Sequence, residues 1–194
     1  MSTRAPGRPR SEEARRAILG AAVALVSEGG SAVATMDAIA RRAGVSKQTV
    51  YRWWSSPPEI LLEALNEGAA RIAPLEDTGD LVHDLRIFMR RSVLGAREPV
   101  GRLLAALMAE AQRNPVFGES FRTGFLTKRR SVMRELLEHA VKRGEVSSDL
   151  DLDFLVELFF AALWYRLLAA SGPLDRRFAD ELTDTLLTIV RASA

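Results

Sequence analysis

The chain of 194 residues contains no cysteine. That excludes disulfides, thiolate metal sites and a cysteine nucleophile. Lysine is scarce: only Lys47, Lys128 and Lys142 break a background of arginine. Histidine occurs twice, at His83 and His139. Each stands alone on a charged stretch and reads as a surface residue, too isolated for a metal site or an acid–base pair. No Gly-x-Ser-x-Gly, His-Glu-x-x-His or phosphate-loop pattern is present. The usual carriers of enzymatic chemistry are therefore missing, and no cofactor, metal or catalytic residue is expected. No stretch alternates apolar and polar residues as a half-buried strand does. Long uncharged apolar runs are missing too. The most apolar stretch, 152–170, is broken by Asp153, Glu157 and Arg166, which leaves eight uncharged residues between the last two. A bilayer span wants about 20. The first ten residues are polar and basic and lack the apolar core of a secretory signal. A cytoplasmic protein with no membrane partner is expected.

What is present is a 47% hydrophobic chain, long enough for one sizeable core or two small ones. Its net charge of +2 is unevenly spread. Residues 1–60 hold nine basic residues against five acidic ones, a surplus of four, so the remainder carries −2. A basic end on a mildly acidic body suits a polyanionic partner at that end only.

The pattern is helices with punctuation, about nine of them, and the fold class is all-α. A first helix starts after Ser11, with Glu12 and Glu13 in its first turn, where the helix dipole favours acids. It buries Ile18, Ala21, Ala22, Leu25 and Val26, and Gly29-Gly30 ends it. Thr35 caps a short helix to about Arg42, and Ser46 caps another from Lys47 to about Trp53. Ser56-Pro57-Pro58-Glu59 reads as a capping box opening a helix to about Ile72. Residues 74–79 read as a linker. Further helices are expected over about 80–94, 99–113, from Phe117 or Glu119 to 143, 151–171 and 175–192. Asn114-Pro115, Gly144 and Gly172-Pro173 separate the later ones.

Residues 35–54 carry the sharpest signal. Ala40 sits where two helices cross and only a small side chain fits. Gly44 sits four residues on, where a tight turn needs a positive φ that glycine takes freely. Val50 plugs the shared core with Ile39 and Val45. Three steric demands met at this spacing, in a basic segment, define a helix-turn-helix whose second helix enters the major groove of DNA. That helix would present Ser46, Lys47, Gln48, Thr49, Tyr51, Arg52 and Trp53. Gln48 and Thr49 reach base edges, Lys47 or Arg52 takes guanine or phosphate, and the hydroxyls of Tyr51 and Thr35 suit phosphates. The arm of residues 1–10 carries Arg8 and Arg10 in a Gly-Arg-Pro-Arg segment. Its prolines favour extended chain that can follow a narrow minor groove.

Here the residues match a known family. Ser11 to Leu65 resembles the DNA-binding domain of the tetracycline-repressor (TetR) family. The match rests on the Gly29 turn, Thr35-Met36, Ile39-Ala40, Ala43-Gly44-Val45-Ser46, Thr49-Val50-Tyr51, Trp54 and Ile60-Leu61-Leu62. The C-terminal part is similar to a subset of the family through Arg143-Gly144-Glu145, Trp164-Tyr165-Arg166-Leu167, Pro173-Leu174-Asp175 and Phe178-Ala179-Asp180. One departure is plain: Pro57 stands where relatives often carry a phosphate-contacting lysine.

The resemblance implies a flexible arm (1–10), a three-helix DNA-binding domain (11–56), a connecting helix (57–73) and a C-terminal domain (80–194) for ligand binding and dimerisation. It implies an effector pocket, for which the candidates are Phe88, Met89, Leu104, Met108, Phe121, Phe125, Trp164 and Tyr165. The helix 151–171 is apolar nearly all round and so needs burial on two sides. With the amphipathic last helix it would pair about a two-fold axis through Leu155, Phe159, Leu163, Leu182, Leu186 and Ile189. The expected function is a homodimeric, ligand-responsive transcriptional repressor. A small apolar or amphipathic effector would release it from a near-palindromic double-stranded operator. The alternative is a non-inducible architectural DNA binder with a filled C-terminal core.

Overall fold

The computed structural model describes residues 8–72, 74 and 76–192, and the side chains of all these except 8–11, 70 and 71. The described residues form an all-helical fold with no strand. Helix α1 (Arg8–Gly29) is followed by a single 3-10 turn (Ser31–Val33), then α2 (Met36–Ala43), α3 (Lys47–Tyr51) and α4 (Pro57–Ile72). The larger remainder is α5 (Leu81–Gly95), α6 (Val100–Arg113), α7 (Pro115–Phe121), a π turn (Arg122–Leu126), α8 (Thr127–Lys142), α9 (Leu152–Leu168) and α10 (Arg176–Ala192). Helix α7, the π turn and α8 run on as one rod, so the described chain has nine rods.

Side chains set most of the helix starts. Thr35, Ser46, Asp80, Asn114 and Asp151 each accept a hydrogen bond from the backbone N–H three residues on. Asp175 does the same for Phe178, at 2.8 Å. Such caps satisfy N–H groups that the helix itself leaves unpaired.

Several boundaries differ from the sequence reading. Helix α1 begins at Arg8, three residues before the cap expected at Ser11. Pro9 lies in its first turn, where a missing N–H costs nothing, so proline does not hold the whole 1–10 arm extended. The side chains of Arg8 and Arg10 lie outside the described residues, as does the arm before Arg8. Glu59 closes its box on Ser55 rather than Ser56: its carboxylate accepts from Ser55 N at 2.9 Å and Ser55 Oγ at 2.5 Å. Helix α9 stops at Leu168, before Gly172-Pro173, and Ala170 takes a positive φ of 49°.

The stretch 74–79 is anchored to the body at several of its described residues. Asp77 accepts from Arg143 Nη1 at 2.8 Å and pairs with His139 Nδ1 at 2.7 Å, so His139 is not a free surface group. Thr78 donates from its N–H and hydroxyl to the buried Asp84 at 2.9 and 2.7 Å.

Helices α1 to α4 pack around Ile18, Ala22, Val26, Ile39, Val50 and Ile60, all at most 1% exposed. A second centre around Phe88, Met89, Phe121, Met133 and Phe159 holds α5 to α9. Each of the Val, Ile, Met and Phe side chains among these contributes roughly 1.5–3 kcal/mol through burial. Helix α10 lies along α5, burying Phe178, Ala179, Leu186, Leu187 and Val190. Beside that seam Arg90 donates to both oxygens of Asp180, at 2.6 and 2.8 Å. These bonds outweigh the effect of burial and hold the Asp180 carboxyl below the usual carboxylate range.

Candidate functional site

The turn between α2 and α3 is built as its residues demand. Gly44 sits at φ 68°, ψ 28°, the left-handed region, and Val45 N donates back to Ala40 O at 3.1 Å. That 6→1 bond ends α2 and aims the chain into α3. Ile39, Ala40 and Val50 are buried between the helices. With Val50 turned inward, Ser46, Lys47, Gln48, Tyr51 and Arg52 face outward, and Tyr51 is 50% exposed. Thr35 is exposed at the start of α2. Thr49 and Trp53 are half-buried. Helix α3 ends at Tyr51, so Arg52 and Trp53 lie on the turn beyond it.

Internal bonds already engage several of these groups. Ser46 Oγ accepts from Thr49 N at 3.1 Å and lies 2.9 Å from Thr49 Oγ1. Lys47 Nζ sits 2.6 Å from Asp37 Oδ1 and 5.7 Å from the Tyr51 ring centroid. The hydrogen bond to Asp37 raises the Lys47 pKa above the ordinary lysine value. Arg52 lies over the Trp53 ring, 5.2 Å from its centroid. A phosphate or base edge reaching Lys47 therefore competes with Asp37, a carboxylate on the preceding helix.

Behind the exposed face, Glu63 of α4 ties the unit together. Its two oxygens accept from Trp54 Nε1 at 2.7 Å and Arg15 Nε at 2.6 Å. Arg15 also donates to Glu67 at 2.5 Å and Glu12 at 2.9 Å. Burial disfavours the Arg15 charge, but its bonds to Glu67 and Glu63 outweigh that and raise its pKa. One helix face thus holds α1 and the end of the α3 turn.

The neighbouring face of α4 looks into a cavity of about 510 Å³. Ala64, Leu65, Gly68 and Ala69 form that wall, and Gly95, Ala96, Leu103, Leu104, Met108, Phe125, Phe160 and Trp164 line the rest. Of the eight pocket candidates, Leu104, Met108, Phe125 and Trp164 line it. Phe88, Met89 and Phe121 do not: each is at most 2% exposed, packed as core. Tyr165 is 68% exposed on the outer surface. Sequence reasoning missed the small residues of α4 and α5 and the polar group of Arg91, Ser92, Arg129 and Arg130 on the wall. The spacing of Ala64, Gly68 and Ala69 on one helix face was the available signal.

The expected pairing face also needs correction. Leu155, Phe159, Leu163 and Leu186 are buried within the protomer, at 7% exposure or less, and have no surface to offer a second copy. Leu182 and Ile189 are half-buried. The apolar side chains that α9 turns outward are Phe154, Tyr165 and Leu168, with Ala161 exposed and Leu158 and Ala162 half-buried beside them. Their spacing of three, four and seven residues puts them on one stripe. Among the described residues no helix is long and apolar enough to cross a membrane, and no group of three His, Cys, Asp or Glu could hold a metal ion.

Two family models match the chain. Residues 18–64 match that of the bacterial regulatory proteins of the tetR family, and residues 75–186 match the tetracyclin repressor-like C-terminal domain. The chain is similar to YdeS of Bacillus subtilis, an uncharacterized HTH-type transcriptional regulator. The two are 31% identical over 188 residues, 97% of this chain and 95% of that protein. It is 30% identical to the DNA-binding transcriptional repressor TetR of Mycobacteroides abscessus, over 95% of this chain and 98% of that one. Among solved structures it resembles the TetR family transcription regulator SCO0332, with a TM-score of 0.77 and 32% identity across 91% of this chain and 97% of that one.

Proposed function

The chain belongs to the tetracycline-repressor family of DNA-binding transcriptional regulators, and on that premise we propose that it is a ligand-released repressor. The head, residues 11–56, reads double-stranded operator DNA through α3. Gln48 and Thr49 contact base edges, Lys47 or Arg52 takes guanine or phosphate, and Thr35, Ser46, Tyr51 and Trp53, with Arg8 and Arg10 at the start of α1, complete the DNA-facing set. The body, residues 80–194, receives a small apolar or amphipathic effector and pairs with a second copy. Two copies present two α3 helices about 34–36 Å apart, which calls for a near-palindromic site. The α9 stripe of Phe154, Leu158, Ala161, Tyr165 and Leu168 is the pairing surface this reading assigns. A similar protein is described as a repressor, which favours repression over activation.

One observation carries the reading. Helix α4 lines the cavity through Ala64, Leu65 and Gly68 while Glu63 and Glu67 on the same helix grip the head through Arg15 and Trp54. An effector that displaces α4 by filling the cavity tilts the head and spoils the half-site spacing. A coupling energy of about 1–3 kcal/mol would weaken operator binding roughly 5- to 150-fold. The open cavity also favours this reading over an architectural DNA binder with a filled core.

The test begins with operator duplexes selected from a random pool by the purified protein. Operator affinity is then measured by fluorescence anisotropy against a panel of small amphipaths, for the wild type and for Gly68→Leu. A Cβ on Gly68 meets nothing within 4 Å, so the leucine has room to enter the cavity. A panel member should weaken operator binding of the wild type and lose that effect in Gly68→Leu. A compound that binds tightly in the cavity yet leaves operator affinity unchanged defeats the mechanism.

A further inference from the structure

Three arginines and one carboxylate line the cavity among the described residues: Arg91, Arg129, Arg130 and Glu157. Arg91 is answered by Glu76 through a short ion pair. Glu157 is exposed on α9, where water screens its charge. Arg129 and Arg130 are half-buried on α8, immediately after the π turn. The Arg129 guanidinium lies 5.3 Å from the Phe88 ring centroid, and its Nη2 is 3.4 Å from Ser92 Oγ. Burial pushes its pKa below the ordinary arginine value. Its positive charge is therefore held where solvation is poor, beside a hydroxyl that can also donate.

The remaining wall is apolar: Leu103, Leu104, Met108, Phe160, Trp164 and Leu167. At about 30 Å³ per small group, 510 Å³ admits a ligand of on the order of 15 to 20 non-hydrogen atoms. Charge sits on one wall and greasy surface on the others.

We propose that the effector is an anionic amphipath, whose carboxylate or similar acid head docks on Arg129, Arg130 and Ser92 while its apolar tail lies between α6 and α9. This rests on the cavity being the effector site. A planar guanidinium takes a carboxylate through two parallel hydrogen bonds, and charge-assisted bonds of this kind are about twice as strong as neutral ones. A neutral alcohol of equal length keeps the tail contacts and forfeits the ion pair. A cationic head meets like charge.

Dodecanoate, dodecanol and dodecyltrimethylammonium share one tail length and differ in head charge. Their binding is measured by titration calorimetry, each below its micelle-forming concentration, to the wild type, Arg129→Met and Arg129→Lys. The expected result is that dodecanoate binds the wild type about tenfold or more tightly than dodecanol. Arg129→Met should bring the two level, and Arg129→Lys should keep part of the preference. Thermal melting checks that each variant folds; if Arg129→Met does not fold, Ser92→Ala replaces it and should narrow the gap. Dodecanol or the cation binding as tightly as dodecanoate overturns the anionic class and leaves the cavity reading standing. A preference that survives Arg129→Met overturns the head-group assignment. Should none of the three bind, the inference falls, and the Gly68→Leu comparison decides separately whether the cavity is an effector site.

Discussion

Glu63→Gln removes one charge and almost no volume, which makes it the cleanest probe of the junction between head and body. Glu63 presents one oxygen to Trp54 Nε1 at 2.7 Å and the other to Arg15 Nε at 2.6 Å. Glutamine has one acceptor oxygen, so whichever way the amide turns, one N–H donor faces another. Trp54 is only 5% exposed, and water cannot readily replace its acceptor. The amide therefore turns its oxygen to Trp54 and loses Arg15, which keeps Glu67 and Glu12. A lost hydrogen bond to a charged partner is worth about 1.5–3 kcal/mol. The Arg15 side chain is 27% exposed, so screening reduces this to roughly 1–2 kcal/mol. For a chain of this size about 1 kcal/mol moves Tm by 2–4 °C, so the midpoint should fall by roughly 2–8 °C. Differential scanning calorimetry on the full chain reads this directly. Glu67→Gln is the control: its carboxylate meets Arg15 but not Trp54, and its loss should be the smaller of the two. A Glu63→Gln midpoint within about 1 °C of the wild type, below the shift expected for even 1 kcal/mol, refutes the argument. So does a larger loss in Glu67→Gln.

Other expectations follow from single features. Gly44→Ala forces an L side chain into the left-handed region at a cost of about 1–2 kcal/mol. A Cβ there meets no atom within 4 Å, so the cost is backbone strain alone, and denaturant unfolding should show Gly44→Asn losing less. Asp180 has a folded pKa depressed by Arg90, so its contribution is present above the unfolded carboxylate pKa of about 4 and vanishes as pH falls through the lower folded value. The Tm gap between wild type and Asp180→Asn should be open at pH 7 and closed in strong acid; a gap that widens on acidification contradicts the clasp. Leu168→Glu, at a position 48% exposed, should leave the protomer folded but convert a dimer to monomers in light scattering and weaken operator binding. A dimer that persists rules that stripe out as the pairing face.

The helix-turn-helix was legible because its constraints are steric and local. Ala40, Gly44 and Val50 each answer a requirement of one sharp turn, within eleven residues. The caps at Thr35 and Ser46 were legible for the same reason: a short polar side chain acts on the backbone three residues away. Helix α9 was not legible in its orientation. It is apolar nearly all round, so its pattern carries no phase, and the tertiary packing of Phe159 against Phe88, with ring centroids 6.0 Å apart, sets which side faces inward. The cavity was harder still. It is bounded by what Ala64, Gly68, Gly95 and Ala96 do not fill, and the large residues proposed to line it, Phe88 and Phe121, instead close the core beside it. Pairings such as Arg15 with Glu63 join residues 48 apart in sequence and leave no local trace.

The π turn at Arg122–Leu126 puts one surplus residue into an otherwise regular rod. A regular helix advances 100° per residue, so the surplus rotates everything downstream by about that angle relative to Phe117 and Phe121. Met133 rather than Val132 reaches the centre, and Arg129 rather than Lys128 borders the void. Shortening the rod by one position inside 122–126 would heal the bulge and preserve both flanks. The same deletion made at Ser131 or Glu135 would swing one flank out of phase with the other. The tolerance of this segment to loss is thus confined to five consecutive positions, a fingerprint that a scan of single-codon deletions would display.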